Sequence, residues 1–146
     1  MNKIKIVFTD FDGTLFSSNR QISETDRNTL VQLGDSGIIR VIATGRSVFS
    51  INKIINIDFP IDYLIFSSGS GILEWKSKKI LLSHNLNNNE IIDLTKILRS
   101  NQVDFMIHDP IPENHRFRFF QFSGDNPDFS RRCEIYKEYT IQLTYI

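Results

Sequence analysis

Three short apolar stretches in the first half of the chain have the continuous hydrophobic pattern of strands that are buried on both faces. They cover residues 3–9, 38–43 and 63–66, and they are rich in β-branched and aromatic side chains. Between them, apolar residues recur at helical spacing over residues 24–33 and 48–55. The order strand, helix, strand, helix, strand predicts a right-handed α/β unit with a parallel sheet.

The first predicted helix has recognisable signals at both ends. Ser23 is a favourable N-cap, with Ile22 in front of it as a hydrophobic staple and Asp26 three residues after it. Gly34 and Gly37 follow the last apolar positions and predict where the helix stops.

The pattern changes after residue 67, where glycines and short alternating segments replace the long apolar runs. A strand pair and a helix are followed by a proline-containing loop and more strands, which is typical of an α+β module. The boundary predicted from this change divides the chain into a first domain, residues 1–82, and a second domain, residues 83–146. The predicted strands of this part are residues 72–75, 80–83, 103–107, 117–122 and 139–145, and the predicted helices are residues 90–99 and 128–138.

Composition and charge exclude several classes of protein. The chain has 146 residues, with 40% hydrophobic residues and 17 basic against 17 acidic side chains. This balance argues against a broad nucleic-acid-binding surface, even though residues 116–122 alternate basic and aromatic side chains. No apolar run approaches the roughly 20 residues that span a bilayer. The single cysteine, Cys133, cannot form an internal disulfide and fits a reducing compartment, so we expect a cytoplasmic protein.

The residues that follow the first strand carry the candidate chemistry. Asp10 and Asp12 are two residues apart, so in extended backbone they point to one side while Phe11 points to the other. Ligands bind at the carboxyl edge of open parallel sheets. Two close carboxylates suit Mg²⁺ and phosphate chemistry: one attacks phosphorus, and the other, with a raised pKa, acts as general acid and then base.

A calcium-binding loop also contains the pattern Asp-x-Asp-Gly. Aligning Asp12 and Gly13 with that loop puts Phe8 at the first ligand position and Asn19 at the position of the distal Glu. The segment before the motif is also strand-like, whereas a calcium loop follows a helix. The residues therefore favour a catalytic carboxylate pair over a calcium loop.

Three segments of the chain resemble motifs of the haloacid dehalogenase-like phosphatases. Residues 8–15 (FTDFDGTL) look like their first motif, and residues 41–46 (VIATGR) look like the second motif of the Cof-type sugar-phosphate phosphatase branch. Residues 64–71 (LIFSSGSG) resemble the strand and loop that enter the inserted cap of that branch, with Ser68 where the family usually has Asn. The resemblance implies a Rossmann-like core over residues 1–82 and part of an α+β cap over residues 83–146.

The resemblance also implies a role for each matching residue. Asp10 would be the nucleophile and a ligand of Mg²⁺. Asp12 would be the general acid and base, with its backbone carbonyl on the metal. Thr44, Gly45 and Arg46 would form the substrate-binding segment, in which Thr44 contacts the phosphoryl group. The implied function is a Mg²⁺-dependent phosphohydrolase that acts on small phosphomonoesters such as sugar phosphates through an aspartyl-phosphate.

Two other functions stay open at this point. A phosphomutase or phosphotransferase of the same fold would share the first two motifs. The family also uses a later Lys and a later acidic pair, which lie beyond the cap in this branch and have no counterpart before Ile146. The expectation is therefore a chain truncated within the cap and nearly inactive alone, or a catalytically dead binding module. The expected partner is a small phosphorylated metabolite, with no nucleic acid and no membrane. Self-association is also expected, because an incomplete sheet leaves an open edge.

Overall fold

The computed structural model describes residues 4–143, which divide into two compact units with the boundary between His84 and Asn85. Within this part of the chain, no helix has both the length and the apolar character that crossing a bilayer requires.

The first unit is a five-stranded mixed sheet with two helices. The strands lie in the order β1-β2-β3-β4-β5; β1, β2 and β3 are mutually parallel, and β4 and β5 continue the sheet antiparallel. This arrangement confirms the predicted α/β fold class with a parallel core. The elements are β1 (Ile6–Asp10), α1 (Glu24–Asp35), β2 (Ile39–Ala43), α2 (Val48–Asn52), β3 (Tyr63–Phe66), β4 (Gly71–Glu74) and β5 (Ile80–Ser83).

Helix α1 begins and ends where its sequence signals lie. The Ser23 side chain accepts a hydrogen bond from the Asp26 backbone N–H at 3.0 Å. At the other end Gly37 has φ +72°, and its N–H donates to the Gly34 carbonyl at 2.9 Å, while the Ile38 N–H donates to Leu33 at 3.0 Å. These two bonds form a Schellman motif, which satisfies carbonyls that the end of the helix leaves without partners.

The core of the first unit consists of large side chains that are almost completely excluded from solvent. Apolar burial of this kind is the main stabilising contribution in a domain of this size. The core members include Phe11, Ile42, Ile51, Ile61, Leu64, Phe66 and Trp75. By contrast, one face of the sheet is uncovered at β1, because Ile6 and Phe8, two residues apart, are exposed, as is Ile4 just before the strand.

The second unit is a three-stranded sheet with two helices. In this sheet β6 and β7 are antiparallel, and β8 pairs with β7 in parallel. Its elements are α3 (Asn88–Ser100), β6 (Phe105–His108), β7 (Phe117–Phe120), α4 (Pro127–Ile135) and β8 (Thr140–Gln142). Helix α3 begins two residues before the predicted start, because Asn87 and Glu90 form a capping box. Part of the strand predicted over residues 139–145 lies outside the described residues.

Candidate active site

The carboxyl ends of three parallel strands meet at one edge of the first unit. Asp10 is the last residue of β1, and in the register of the sheet it lies beside Ala43, the last residue of β2. Ala43 in turn lies beside Ile65 of β3. Thr44 and Ser67 directly follow their strands, so the segments after β1, β2 and β3 are neighbours, as the sequence predicts.

Asp10 is an exposed carboxylate whose orientation is supported by the turn that follows it. The Thr14 hydroxyl donates to Asp10 Oδ2 at 3.3 Å. The chain turns back at Gly13, which has φ +79°, and the Gly13 N–H donates to the Phe16 carbonyl at 2.9 Å. A left-handed backbone of this kind is easily adopted only by glycine, so Gly13 is what allows Thr14 to reach back to Asp10.

Phe11 separates the two aspartates and anchors the segment in the core. Its side chain is fully buried and stacks on Phe16, with the ring centroids 5.3 Å apart. Asp10 and Asp12 on either side of it are exposed. The alternation expected for extended backbone therefore holds, and both carboxylates are directed away from the packed interior.

Arg46 binds the Asp12 carboxylate in a bidentate ion pair. Its Nε lies 3.0 and 2.9 Å from the two carboxylate oxygens, and its Nη2 lies 2.6 Å from Oδ1. A further hydrogen bond joins Arg46 Nη1 to the Ser50 hydroxyl at 3.1 Å. The guanidinium also lies 5.8 Å from the Phe11 ring and 5.6 Å from the Phe16 ring, which orients it further.

The ion pair determines the protonation state of Asp12. Hydrogen bonds from Arg46 lower the pKa of the Asp12 carboxyl below its usual value. The charge of Arg46 and a hydrogen bond with Thr44 lower this pKa further, whereas partial burial raises it. The net direction, a lowered pKa, is opposite to the raised pKa that a general acid needs and that the sequence led us to expect for one of the two carboxylates. In this conformation Asp12 is an ionised base, so it can donate a proton only after Arg46 has moved away.

Thr44 and Gly45 form a fixed turn after β2. Thr44 is 7% exposed; its N–H donates to the Ile65 carbonyl at 2.9 Å, and its hydroxyl accepts from the Arg46 N–H at 3.2 Å. Gly45 is exposed, and a Cβ built there would meet only the Ser68 hydroxyl oxygen, at 3.4 Å. The backbone of Gly45 is therefore open to an approaching ligand.

The loop after β3 also joins this site, although its sequence predicts no role for its side chains. The Ser68 N–H donates to the Thr44 carbonyl at 3.1 Å, and the Ser67 N–H donates to the Arg46 carbonyl at 2.9 Å. These bonds hold the turn after β2 in place. In the sequence, this loop is marked only by the two serines before Gly69. The contact between these serines and residues 44–46 is visible only in the structure.

The donor atoms at this edge fit part of a Mg²⁺ coordination shell. The Asp10 carboxylate and the Asp12 backbone carbonyl are hard oxygen donors of the kind that Mg²⁺ prefers. Among residues 4–143, no three His, Cys, Asp or Glu side chains are grouped so that they could hold a metal ion. The described residues therefore include two oxygen donors of the kind that a Mg²⁺ ion takes.

The chain is similar to known hydrolases over nearly its whole length. The family model described as haloacid dehalogenase-like hydrolase matches residues 7–121. A Bacillus subtilis protein, 5-amino-6-(5-phospho-D-ribitylamino)uracil phosphatase YcsE, is 26% identical over 97% of this chain and 61% of its own length.

Solved structures share the fold. The phosphatase BT1666 from Bacteroides thetaiotaomicron matches 97% of this chain and 50% of its own, with a TM-score of 0.75 and 21% identity. The sugar phosphatase BT4131, described as subclass IIB, matches 94% of this chain and 52% of its own, with a TM-score of 0.63 and 19% identity. The chain thus spans about half to three fifths of the length of these relatives. Its motifs, its sheet topology and the extent of the family match together show that the chain belongs to the haloacid dehalogenase-like hydrolases.

Proposed function

We propose that the protein acts as a Mg²⁺-dependent phosphohydrolase on small phosphomonoesters, with Asp10 as the nucleophile. The observation that carries this proposal is the difference between the two carboxylates. Asp12 is ion-paired with Arg46, whereas Asp10 has no ion pair within residues 4–143. An unpaired, exposed carboxylate is the better nucleophile, and a carboxylate whose counterion can exchange it for a phosphoryl group is suited to gain and lose a proton.

In the first half of the proposed reaction, an Asp10 carboxylate oxygen attacks the phosphorus of the substrate. A bond forms between that oxygen and phosphorus while the bond from phosphorus to the ester oxygen breaks. Asp12, having taken up a proton after Arg46 has moved away, gives that proton to the leaving oxygen, which departs as an alcohol. The product is a phosphoryl group on Asp10.

In the second half, water attacks the phosphorus of this aspartyl-phosphate. Asp12, now a carboxylate, accepts the proton of the water, and the bond between the Asp10 oxygen and phosphorus breaks. Inorganic phosphate leaves, and Asp10 is again ionised. One residue therefore serves first as acid and then as base.

Mg²⁺, when bound, would neutralise the negative charge that gathers between the carboxylates and the phosphoryl oxygens. The residues that would hold it are Asp10, through its carboxylate, and Asp12, through its carbonyl. Thr44 would donate its hydroxyl proton to a phosphoryl oxygen, and the open backbone of Gly45 would allow that oxygen to approach. Arg46 would exchange Asp12 for the doubly charged phosphoryl group, because a guanidinium fork matches either partner.

The substrate class rests on the relatives. The Bacillus subtilis protein is named for a phosphorylated ribitylamino compound, and BT4131 is described as a sugar phosphatase. Both names support a small phosphorylated polyol or sugar as the partner of this chain. We propose separately that the protein acts in the cytoplasm, without nucleic acid or membrane as a partner. We further propose that residues 83–146 are part of an α+β cap and that residues 1–82 are part of the catalytic core.

A binding module without turnover is a second candidate, and one observation favours it. Among the described residues, no three His, Cys, Asp or Glu side chains are grouped so that they could hold a metal ion. A module of this kind would bind the phosphorylated ligand with Thr44, Gly45 and Arg46 but would not form the aspartyl-phosphate.

Trapping of the covalent intermediate tests the proposal and separates these candidates. The chain is incubated with millimolar Mg²⁺ and acetyl phosphate, quenched in acid, and mapped by peptide mass spectrometry. We expect one phosphoryl group on Asp10, no label in Asp10→Asn, and unchanged label in the control Asp58→Asn, which alters an exposed aspartate. Labelling at another residue, or equal labelling of Asp10→Asn, refutes the nucleophile assignment. Phosphate binding without any label supports the binding module.

A further inference from the structure

Three consecutive residues after β3 have left-handed backbone. Their φ angles are 51° at Ser67, 55° at Ser68 and 92° at Gly69. Glycine adopts this region freely, but for serine it is unfavourable, because Cβ crowds the following carbonyl oxygen. Two adjacent serines in this region mark a segment that its surroundings hold in a strained conformation, a feature that is concentrated at functional sites.

Hydrogen bonds join this loop to residues 44–46, the turn that we propose to bind phosphate. The N–H groups of Ser67 and Ser68 donate to the carbonyls of Arg46 and Thr44, at 2.9 and 3.1 Å. The strain is therefore balanced by contacts with the residues that we propose to bind the phosphoryl group.

The strained conformation places the Ser68 hydroxyl over the open side of Gly45. The hydroxyl oxygen lies 3.4 Å from the position that a Cβ of Gly45 would occupy, and Ser68 is exposed. Within residues 4–143 the Ser68 hydroxyl forms no hydrogen bond. The Ser68 side chain is therefore held by a strained backbone at a position that a ligand can reach. Because its hydroxyl has no partner within the described residues, it can form a hydrogen bond with a ligand.

We infer that Ser68 is a substrate-contacting residue, whose hydroxyl hydrogen-bonds an oxygen of the phosphomonoester on the Gly45 side of the site. The inference rests on the proposed function. The oxygen is either one of the phosphoryl oxygens or a hydroxyl of the carbon skeleton next to the ester, since serine can donate to both and accept from the latter.

Titration of the ¹⁵N-labelled chain with three probes tests this inference. The probes are orthophosphate, phenyl phosphate and glycerol 1-phosphate, each with millimolar Mg²⁺, and the readout is the dissociation constant from the amide shifts of Thr44 and Gly45. Ser68→Ala should bind about 2- to 10-fold more weakly if the lost partner is a hydroxyl, and at least about 10-fold more weakly if it is a charged phosphoryl oxygen. The control Ser70→Ala removes a serine hydroxyl two residues away, where φ is −68°, and should bind like the wild type.

Comparison of the three probes shows which oxygen of the ligand Ser68 contacts. Equal weakening for all three shows contact with a phosphoryl oxygen, and weakening for glycerol 1-phosphate alone shows contact with a hydroxyl of the skeleton. Unchanged binding of every probe by Ser68→Ala overturns the inference and leaves the proposed function standing. If no probe shifts Thr44 or Gly45 in the wild type, the proposed phosphate site itself fails, and the Ser68 contact fails with it.

Ser68→Gly separates the hydroxyl from the backbone strain. It should bind the probes as weakly as Ser68→Ala, because both lack the hydroxyl, but it should unfold at a higher urea concentration, because glycine accepts the left-handed backbone. Wild-type affinity in Ser68→Gly together with weak binding in Ser68→Ala would show that the backbone conformation matters and that the hydroxyl does not, which also overturns the inference.

Discussion

Replacement of Gly34 by alanine should have opposite effects in two backgrounds. Gly34 lies in the last turn of α1, where a Cβ would come within 2.2 Å of Arg40 Nη1 and 2.5 Å of Arg40 Cζ. The guanidinium cannot simply swing away, because Asp62 holds its Nε and Nη2 at 2.9 and 2.8 Å, and the Leu30 carbonyl accepts from its Nη1 at 3.1 Å. The loss of stability caused by the added methyl group therefore depends on whether the ion pair between Arg40 and Asp62 is present.

The expected change in stability can be worked out from the hydrogen bonds of Arg40 that the added methyl group would break. Alanine in place of glycine stabilises a helix by up to about 1 kcal/mol. Displacing the guanidinium forfeits at least one hydrogen bond of a charged group, which typically costs about 1.5–3 kcal/mol. With the full helix gain offsetting this loss, Gly34→Ala alone should lower the free energy of unfolding by about 0.5–2 kcal/mol. Asp62→Ala should lower it by about 2–3 kcal/mol, below the roughly 3–5 kcal/mol of a fully buried pair, because Asp62 is 34% exposed.

In the Asp62→Ala background only the hydrogen bond to the Leu30 carbonyl still holds Arg40, so the guanidinium can shift and Gly34→Ala should raise stability by up to about 1 kcal/mol. Urea unfolding followed by the fluorescence of Trp75 measures all four proteins, since Trp75 is the only tryptophan and is fully buried in the first unit. Asp58→Ala, which breaks the exposed pair with Lys76, is the matched control and should change stability by less than about 0.5 kcal/mol. Additivity of the two substitutions within about 0.5 kcal/mol would refute the reasoning.

Three other outcomes are expected. Arg40 lowers the pKa of Asp62, mainly by hydrogen bonding. The stability that this gives is present above the ordinary aspartate pKa of about 3.9 and is lost as the pH falls through the lowered folded pKa; acid unfolding of Asp62→Asn should therefore depend less on pH in that window than unfolding of the wild type. Gly71→Ala puts a Cβ 2.2 Å from the buried Phe66 ring and should destabilise the first unit by about 1–3 kcal/mol, measured by thermal unfolding. Asp12→Asn should slow both formation and hydrolysis of the aspartyl-phosphate by roughly 10²- to 10⁴-fold in rapid-quench experiments, and an effect on only one step would contradict a shared acid and base.

Local signals along the chain were sufficient for most of the first unit. The caps of α1 are short-range features, because Ser23 bonds Asp26 and Gly37 bonds Gly34, each three residues away. The buried strands were equally clear, since a run such as residues 63–66 has no polar face. Position at the end of a parallel strand then located Asp10 and Thr44 without any knowledge of distant contacts.

The end of α2 and the start of α3 show where local patterns fail. Apolar spacing continues through residues 48–55, but α2 ends at Asn52. The pattern could not distinguish a longer helix from turns whose isoleucines pack in the core, and Ile55 is indeed 4% exposed. At α3 the relevant signal was present and not used, because the box formed by Asn87 and Glu90 precedes the first apolar position.

The electrostatic state of the site could not be read from the chain, because it depends on a contact between residues 34 positions apart. The sequence alone gives little ground to tell Asp10 from Asp12, since both are aspartates at the carboxyl end of β1, one at its last residue and one two residues later. The structure makes them unequal, because Arg46 reaches across from the segment after β2 and forms a bidentate ion pair with Asp12. The resemblance to a family gives the two aspartates different roles, and this contact supplies a physical reason for the difference. A phosphoryl group that draws Arg46 away would free Asp12 to take up a proton at the moment when a leaving oxygen needs one.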